Sequence, residues 1–214
     1  MAAVLDTSRL EAFSDGVLAI IITIMVLELK VPHGHDLHAF TSEAGTGLLT
    51  YLLSFVYIGI YWNNHHHMLH VTDRITGGVL WANLHLLFWL SLFPFTTAWT
   101  DQSDFARTPL VFYGINLCAA AIAYFVMQTA IIRAQGPDSA LKRAIGRDAK
   151  GKLSPVLYIA GICSALGGGD HPNAWTYVGL AFFVAVAVMW LVPDRRIERS
   201  LSNASANTDA PVTD

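Results

Sequence analysis

The chain has 214 residues, of which 54% are apolar, 11% aromatic and only 14% charged, and its formal net charge is −3. A soluble domain carries roughly 25% charged residues, and the mean hydropathy here is +0.46. This composition argues against a disordered chain, a nucleic-acid-binding protein and most soluble enzymes, and it predicts an integral membrane protein. Cys118 and Cys163 are too few for a disulfide framework or a four-thiolate zinc site, and we expect them to be small packing residues.

Six apolar runs follow one another along the chain. The second, third, fourth and sixth approach or reach the roughly 20 residues that cross the hydrocarbon core, whereas the first and fifth are marginal. Backbone groups in lipid must be satisfied within the segment, so we expect an all-α fold of six helices over residues 1–193 and a polar tail over 194–214, disordered from Ser200. The runs cover residues 16–27, 47–62, 77–99, 109–132, 153–169 and 174–193.

Basic residues are distributed unevenly between the two sides of this six-span arrangement. With a cytoplasmic N-terminus, eleven Lys and Arg residues fall inside and only Lys30 and Arg107 fall outside. The positive-inside rule therefore supports both the six-span count and cytoplasmic termini. We expect the first run to be a retained helix, because Glu28 and Lys30 follow it in place of a cleavage site.

Polar residues crowd the start of the first run. Arg9, Glu11, Ser14 and Asp15 precede an apolar part of about 12 residues, which is some 18 Å of helix. A helix this short is comfortable among other helices or along a water-filled path. Alternatively, the charged residues simply lie in the headgroup layer, and the pattern alone leaves both interpretations open.

The sequence of the first helix resembles a known family. Three residues separate Arg9 from Phe13, Ser14 and Asp15, and the apolar run ends in residues 27–32, LELKVP. This arrangement is similar to the first helix of the bacterial transmembrane protein 175 family of potassium channels. The resemblance extends to the Trp, Asn and His residues at the end of the second helix and to Pro94-Phe95 near the end of the third.

The resemblance implies an architecture and a function. It implies six helices per subunit and a homotetramer in the bacterial inner membrane, with the first helices around a central pore. It further implies permeant K⁺, no enzymatic activity, no resident cofactor, and no partners beyond lipid, potassium ions and further copies of the chain. It places the pore constriction on four residues of the first helix: Ile20, Thr23, Ile24 and Leu27.

Helical spacing puts these four residues on one face. The pattern alone does not select that face, because Ile21 and Ile22 are equally apolar, and such a stripe is ordinarily a packing surface. In a pore, an ion passing a ring of Ile side chains loses part of its hydration shell. Potassium holds its water less tightly than sodium, so we expect a preference for potassium, with the Thr23 hydroxyl partly compensating.

The resemblance also implies that neighbouring helices hold the start of the pore helix by hydrogen bonds. The second run continues into residues 62–68, WNNHHHM, and the third carries further polar groups. We expect Asp15 to accept hydrogen bonds from His66 or His67 and Trp81, with Asn83 as a further partner.

Three other interpretations compete with an anchoring role. His66 and His70 have the i, i+4 spacing of zinc ligands, although no Cys lies nearby. Asp15 with the histidines could form the proton relay of a cation or proton transporter. Ser164, Asp170 and His171 are close in sequence, but no catalytic motif surrounds them, so we do not expect an enzyme.

Overall fold

The computed structural model describes residues 7–72, 74–136, 139–145 and 149–191; the predicted tail lies outside these ranges. The described part is helical apart from its turns and an isolated bridge at Ile75, which confirms the all-α prediction. Its helices are α1 (Thr7–Leu27), α2 (Leu37–Glu43), α3 (Gly45–His70), α4 (Gly77–Ser91), α5 (Phe93–Gln102), α6 (Arg107–Gln135), α7 (Ala140–Ile145), α8 (Ala149–Leu166) and α9 (Ala174–Leu191).

Within the described residues, five segments are long and apolar enough to cross a membrane. These are α1, α3, α4 together with α5, α6 and α9. The predicted fifth span corresponds to α8, whose first turn contains Lys150, Gly151 and Lys152. Because polar residues occupy this turn, the apolar part of α8 is shorter than the helix itself.

The third apolar run forms two consecutive helices instead of one. The backbone N–H of Leu92 bonds to the carbonyl of Trp89 at 3.3 Å, and α5 begins at Phe93 with Pro94 in its first turn. Proline has no backbone N–H and clashes with the preceding turn, so a helix readily restarts at this position. The chain remains helical on both sides and covers Gly77–Gln102 as one span.

The interior of the bundle is built around α6, which packs against α4, α5 and α8. Small residues allow the closest approaches: a Cβ placed on Gly114 or Gly161 would lie 2.5 Å from the ring of Phe183 on α9. Phe183 is fully buried, and its carbonyl accepts a hydrogen bond of 2.6 Å from the Tyr57 hydroxyl. Glycines thus set the spacing of α6, α8 and α9, as in many membrane bundles.

Helix α1 lies at the edge of this bundle, against α3, α4 and α5. One stripe of its residues is buried: Leu10, Ser14, Leu18, Ile21 and Met25. Val17 and Ile22 flank this stripe and are partly buried, whereas the described residues leave the face of α1 that carries Ile20, Ile24 and Leu27 uncovered.

Candidate pore helix and its polar anchor

The four predicted constriction residues lie on the uncovered side of α1. Ile20 is 58% exposed, Ile24 42% and Leu27 78%, whereas the adjacent Ile21 is only 4% exposed. Thr23 is exposed as well. The protomer therefore packs α1 through Ile21 and leaves the Ile20 face free, a distinction that composition alone could not make.

Phe13 belongs to the same uncovered face and is 53% exposed. The Thr23 hydroxyl donates to carbonyls of its own helix, at 2.9 Å to Ile20 and 3.1 Å to Ala19. Because its proton is used within the helix, the hydroxyl oxygen presents lone pairs outward. This geometry suits coordination of a cation beside the apolar side chains.

An open groove of about 670 Å³ separates part of this face from α5. Ile20 and Ile24 of α1 line it together with Glu28, which directly follows α1, and Phe95 and Trp99 line it from α5. The lining is largely apolar, with the Glu28 carboxylate at the end where α1 terminates. Such a groove can receive an apolar helix, for which this protomer offers no occupant among its described elements.

Ser14 begins a buried chain of hydrogen bonds that ties α1 to two other helices. The Asn83 amide nitrogen on α4 donates to the Ser14 hydroxyl at 3.0 Å, and that hydroxyl donates to the Leu10 carbonyl at 2.8 Å. The ring nitrogen Nε2 of His65 on α3 lies 2.7 Å from the Asn83 amide oxygen, so His65 is the donor there. Ser14, Asn83 and His65 are all buried, and together they connect α1, α3 and α4 at one level.

The partners of Asp15 and its neighbours differ from those predicted. Asp15 accepts a 3.0 Å hydrogen bond from the indole nitrogen of Trp62, whereas His66 contacts Glu11 at 2.6 Å. Residues four positions apart lie on the same face of a helix. Trp62 and His66 of α3 therefore meet Asp15 and Glu11, which are likewise one turn apart on α1.

The remaining predicted anchor residues are not placed on Asp15. Trp81 is 75% exposed, so its side chain points away from the protomer, and the His67 ring stacks edge-on against His66. Asn83, expected as a further partner of Asp15, bonds to Ser14 instead. Arg9 lies on α1 before these residues and is exposed.

The sequence did not identify Trp62, His65 and Glu11 as members of the anchor. The missing signal was helical phase: Trp62 and His66 are one turn apart on α3, as are Glu11 and Asp15 on α1. His65 points to a different side of α3, toward Asn83, and its Nδ1 atom is buried without a partner among the described residues.

The zinc-site and enzyme alternatives gain no geometric support in the described part of the chain. His66 and His70 stack with ring centroids 6.2 Å apart, but no third His, Cys, Asp or Glu residue joins them to hold a metal. The Ser164 hydroxyl donates to the Ala160 carbonyl of its own helix at 2.8 Å, while Asp170 and His171 are exposed.

A second polar contact lies beyond the far end of α1, in the segment that leads to α3. The backbone N–H of His33 and its ring nitrogen Nδ1 each lie 3.0 Å from one carboxylate oxygen of Glu43. These two bonds favour the charged carboxylate and lower the pKa of Glu43 below its ordinary value, with the backbone N–H as the larger cause. The contact closes the loop between α1 and α2.

Comparison with known proteins shows which family shares this sequence and architecture. Residues 9–94 match the family described as the endosomal/lysosomal potassium channel TMEM175, a stretch that includes the Arg9 to Asp15 motif and the anchor. A potassium channel of Chryseobacterium sp. (strain P1-3) is 50% identical over 193 residues, which are 90% of this chain and 96% of that one. This chain belongs to the TMEM175 family. The resemblance predicted from the first helix is therefore confirmed, and the named relatives are ion channels, not enzymes.

A solved structure of a family member shares the fold. The TMEM175 homologue from Chamaesiphon minutus, described as a lysosomal potassium-selective channel homologue, superposes with a TM-score of 0.68 at 26% identity, covering 87% of this chain and 96% of that one. Human TMEM175, named as an endosomal/lysosomal proton channel, is 36% identical over 117 residues, 49% of this chain but 23% of its own length.

Proposed function

We propose that this TMEM175-family protein is a potassium channel whose pore runs along α1 at the axis of a homotetramer. One observation carries the proposal: the protomer buries Ile21 and Met25 but leaves Ile20, Ile24 and Leu27 uncovered on a helix held firmly at one end. An apolar helix face without a partner requires either lipid or other copies of the helix. The names of the bacterial relatives favour the pore.

Selectivity would arise from dehydration at the Ile20 ring. Four Ile side chains around an axis offer nothing to replace the water that an ion loses, and a narrow apolar ring can also close by dewetting. Potassium loses its hydration water at a lower cost than sodium. The outward lone pairs of Thr23, one turn further along, offset part of that cost.

The arrangement in the membrane follows from the charges. We propose six spans, with α8 as the fifth, in a bacterial inner membrane, and both termini in the cytoplasm. The end of α6, together with α7 and the start of α8, carries exposed Arg133, Lys142, Arg143 and Lys152. This cluster supports a cytoplasmic location under the positive-inside rule.

A bilayer recording tests the potassium channel. The full chain is reconstituted, potassium and sodium are placed on opposite sides, and the zero-current potential is measured. We expect current down the electrochemical gradient without a coupled ion, and a zero-current potential displaced toward that of potassium. Flux that saturates and requires a second ion would identify a transporter and reject the proposal.

A pair of variants tests the pore face in the same recording. Ile20→Asn replaces an apolar barrier by an amide that can bind water and cations, so we expect it to reduce the preference for potassium over sodium. Ile21→Val removes one methylene from the buried face and should leave the permeability ratio unchanged. If Ile20→Asn has no effect and an Ile21 or Ile22 substitution does, the pore lies on another face.

Proton conduction is the second candidate. The animal relatives are named proton channels, and Asp15, Glu11 and His66 provide titratable groups beside α1. Recordings under a pH gradient with impermeant ions separate the two candidates. A zero-current potential that follows the pH gradient alone would replace potassium by protons as the permeant ion.

A further inference from the structure

Helix α4 leaves one of its faces uncovered by the rest of the protomer. Its inner side is buried and includes Asn83, Leu86 and Leu90, whereas Trp81 is 75% and Phe88 55% exposed. The exposed side chains recur at the three- and four-residue spacing of a single helix face. Four of them make up the surface called here the α4 face: Trp81, Leu84, His85 and Phe88.

His85 is the ionisable residue of the α4 face. It follows Gly77, where the 26-residue span begins, by about 12 Å of helix. The whole span is about 39 Å long, so a hydrocarbon core of about 30 Å centred on it already surrounds the level of His85. Ionisable side chains at such a level almost always face other protein or water. Lipid is therefore an unfavourable neighbour for this face.

The hydrogen bond that His85 accepts fixes the tautomer of its ring. The indole N–H of Trp89 donates to the ring nitrogen Nε2 at 3.0 Å. An indole N–H is a donor only, so Nε2 carries no proton and the proton of the imidazole lies on Nδ1. No described residue of the protomer accepts a hydrogen bond from Nδ1. The exposed ring thus retains one donor that acyl chains cannot pair.

The exposed faces of other helices differ from the α4 face in polarity. Midway along α6 and α9, the exposed side chains are apolar. They include Phe112, Ile115, Ile122 and Phe125 on α6 and Val184 and Val188 on α9. Such surfaces suit lipid, whose acyl chains are as apolar as leucine. The α4 face is similarly exposed but carries a polar group, which favours protein as its neighbour.

The α4 face also adjoins the uncovered side of α1. Ser91 and Phe95 follow Phe88 along the chain and line the open groove whose lining also includes Ile20 and Ile24. Phe95 is itself 60% exposed. One uncovered surface therefore runs from the α4 face across the groove to the proposed pore helix. A copy of the chain that packs beside α1 can cover both.

We propose that the α4 face is a contact surface between copies of this chain, where the neighbouring copy covers Trp81 and Phe88 and accepts a hydrogen bond from Nδ1 of His85. The inference rests on the proposed homotetramer and names one of its contact surfaces. A closed ring joins two different surfaces of each copy, so the α4 face meets another part of its neighbour. The aromatic side chains supply contact area, and His85 supplies specificity.

Spin labels test what covers the α4 face without reference to ion current. In a background with Cys118 and Cys163 replaced by alanine, Phe88→Cys and Phe125→Cys are labelled in the full chain and reconstituted in liposomes. The two phenylalanines are 55% and 58% exposed in the protomer, but Phe125 lies on α6. Collision rates are measured with oxygen, which concentrates in lipid, and with a water-soluble nickel complex. We expect oxygen collisions to be severalfold rarer for the Phe88→Cys label, and nickel collisions to be rare for both.

Two results would overturn the proposal. Equal oxygen collision rates for the two labels would place lipid on the α4 face, and frequent nickel collisions at Phe88→Cys would place a water-filled space there. The proposed function stands in either case if the chain still carries a potassium-selective current. A chain that is monomeric in native mass spectrometry would instead reject both the contact surface and the homotetramer.

Two variants of His85 test the hydrogen bond between copies. His85→Leu and His85→Asn both lose the bond from Trp89, but asparagine keeps an N–H donor close to the helix. We expect His85→Leu to reduce the tetrameric fraction in native mass spectrometry severalfold and His85→Asn to retain most of it. On a lipid-facing surface, His85→Leu would leave the tetramer intact and raise the unfolding temperature, because it removes a polar group from hydrocarbon. That result, or an equal loss of tetramer in both variants, contradicts the proposed bond.

Discussion

Asn83 is the residue on which the anchor of α1 depends. Its amide nitrogen donates to Ser14 and its amide oxygen accepts from His65, and all three side chains are almost completely buried. No apolar residue can replace these bonds. Loss of the amide would leave the His65 ring nitrogen without its partner and the Ser14 hydroxyl with only its bond to the Leu10 carbonyl.

Asn83→Leu should therefore lower the free energy of unfolding by about 1–3 kcal/mol, the usual cost of leaving a buried hydrogen-bonding group unpaired. The measurement is chemical or thermal denaturation of the purified protein in detergent. Asn63 on α3 is exposed, and Asn63→Leu should change stability by no more than about 0.5 kcal/mol. Equal stability of Asn83→Leu and wild type would mean that the Ser14 and His65 contacts contribute nothing.

Asp15 occupies a wetter position than Asn83, and its substitution should act on assembly more than on folding. Trp62 donates to it at 3.0 Å while remaining 47% exposed, so a bond of about 0.5–1.5 kcal/mol is at stake. Asp15→Ala and Trp62→Phe each remove this bond and should reduce the tetrameric fraction in size-exclusion chromatography. Asp15→Asn retains an acceptor oxygen and serves as the control. A normal tetramer and current from Asp15→Ala would make Asp15 a headgroup-layer residue.

At the scale of single residues, the sequence identified polar residues that form contacts between helices, but it did not identify their hydrogen-bond partners correctly. The motif on α1 and the His-rich segment on α3 indicated the two helices that the anchor connects, because uncompensated polar groups are rare in apolar runs. The pairing requires the rotation of α3 relative to α1, which depends on tertiary packing. For this reason Trp62, and not His66 or Trp81, was found beside Asp15.

The elements differ in how much of their surface the protomer uses. In α1 only one stripe is buried, whereas α6 is packed on several sides and α8 and α9 approach through glycines. The sequence predicted the apolar runs well, because spanning lipid demands length and hydrophobicity. It did not predict the restart of the helix at Phe93, since prolines are also tolerated within membrane helices.

Gly161 tests the glycine packing of α8 against α9. A Cβ there would lie 2.5 Å from the buried ring of Phe183, so Gly161→Ala should destabilise the protein by about 1–3 kcal/mol, as overpacking does. Gly59, in the middle of α3, has no atom within 4 Å of an added Cβ. Gly59→Ala should therefore leave stability unchanged or raise it by up to about 1 kcal/mol, because alanine favours the helix. Thermal unfolding of the two variants side by side decides; destabilisation of Gly59→Ala alone would contradict this packing.

At the scale of the whole molecule, the protomer leaves apolar surface uncovered that further copies of the chain could cover. Ile20 and Leu27 are uncovered on α1, and the groove beside α5 is lined by apolar residues of both helices. The sequence indicated the fold class and the family, whereas the number of copies in an assembly depends on contacts between chains, which the pattern of one chain does not determine.

The orientation is open to a direct test. In a background with Cys118 and Cys163 replaced by alanine, Lys142→Cys should react with a membrane-impermeant maleimide only from the cytoplasmic side, because the positive-inside rule assigns the basic cluster around α7 to that side. Lys30→Cys, in the exposed segment after α1, should react only from the opposite side. Labelling of both positions from one side would contradict six spans.

The hydrogen-bond chain at Ser14 also fixes the position of α1 along its own axis relative to α3 and α4. The buried stripe of α1 is apolar after Ser14 and repeats about every turn, so a slide of one turn, about 5.4 Å, would still match apolar surface with apolar surface. The same slide would move Ser14 out of hydrogen-bonding distance of Asn83. The other residues of the buried stripe are apolar and could not replace Ser14 as its partner. A lone polar residue specifies register in this way in coiled coils. Here it sets the level of Ile20 relative to α3 and α4. In a symmetric assembly, Ile20 of every copy would therefore lie at the same level.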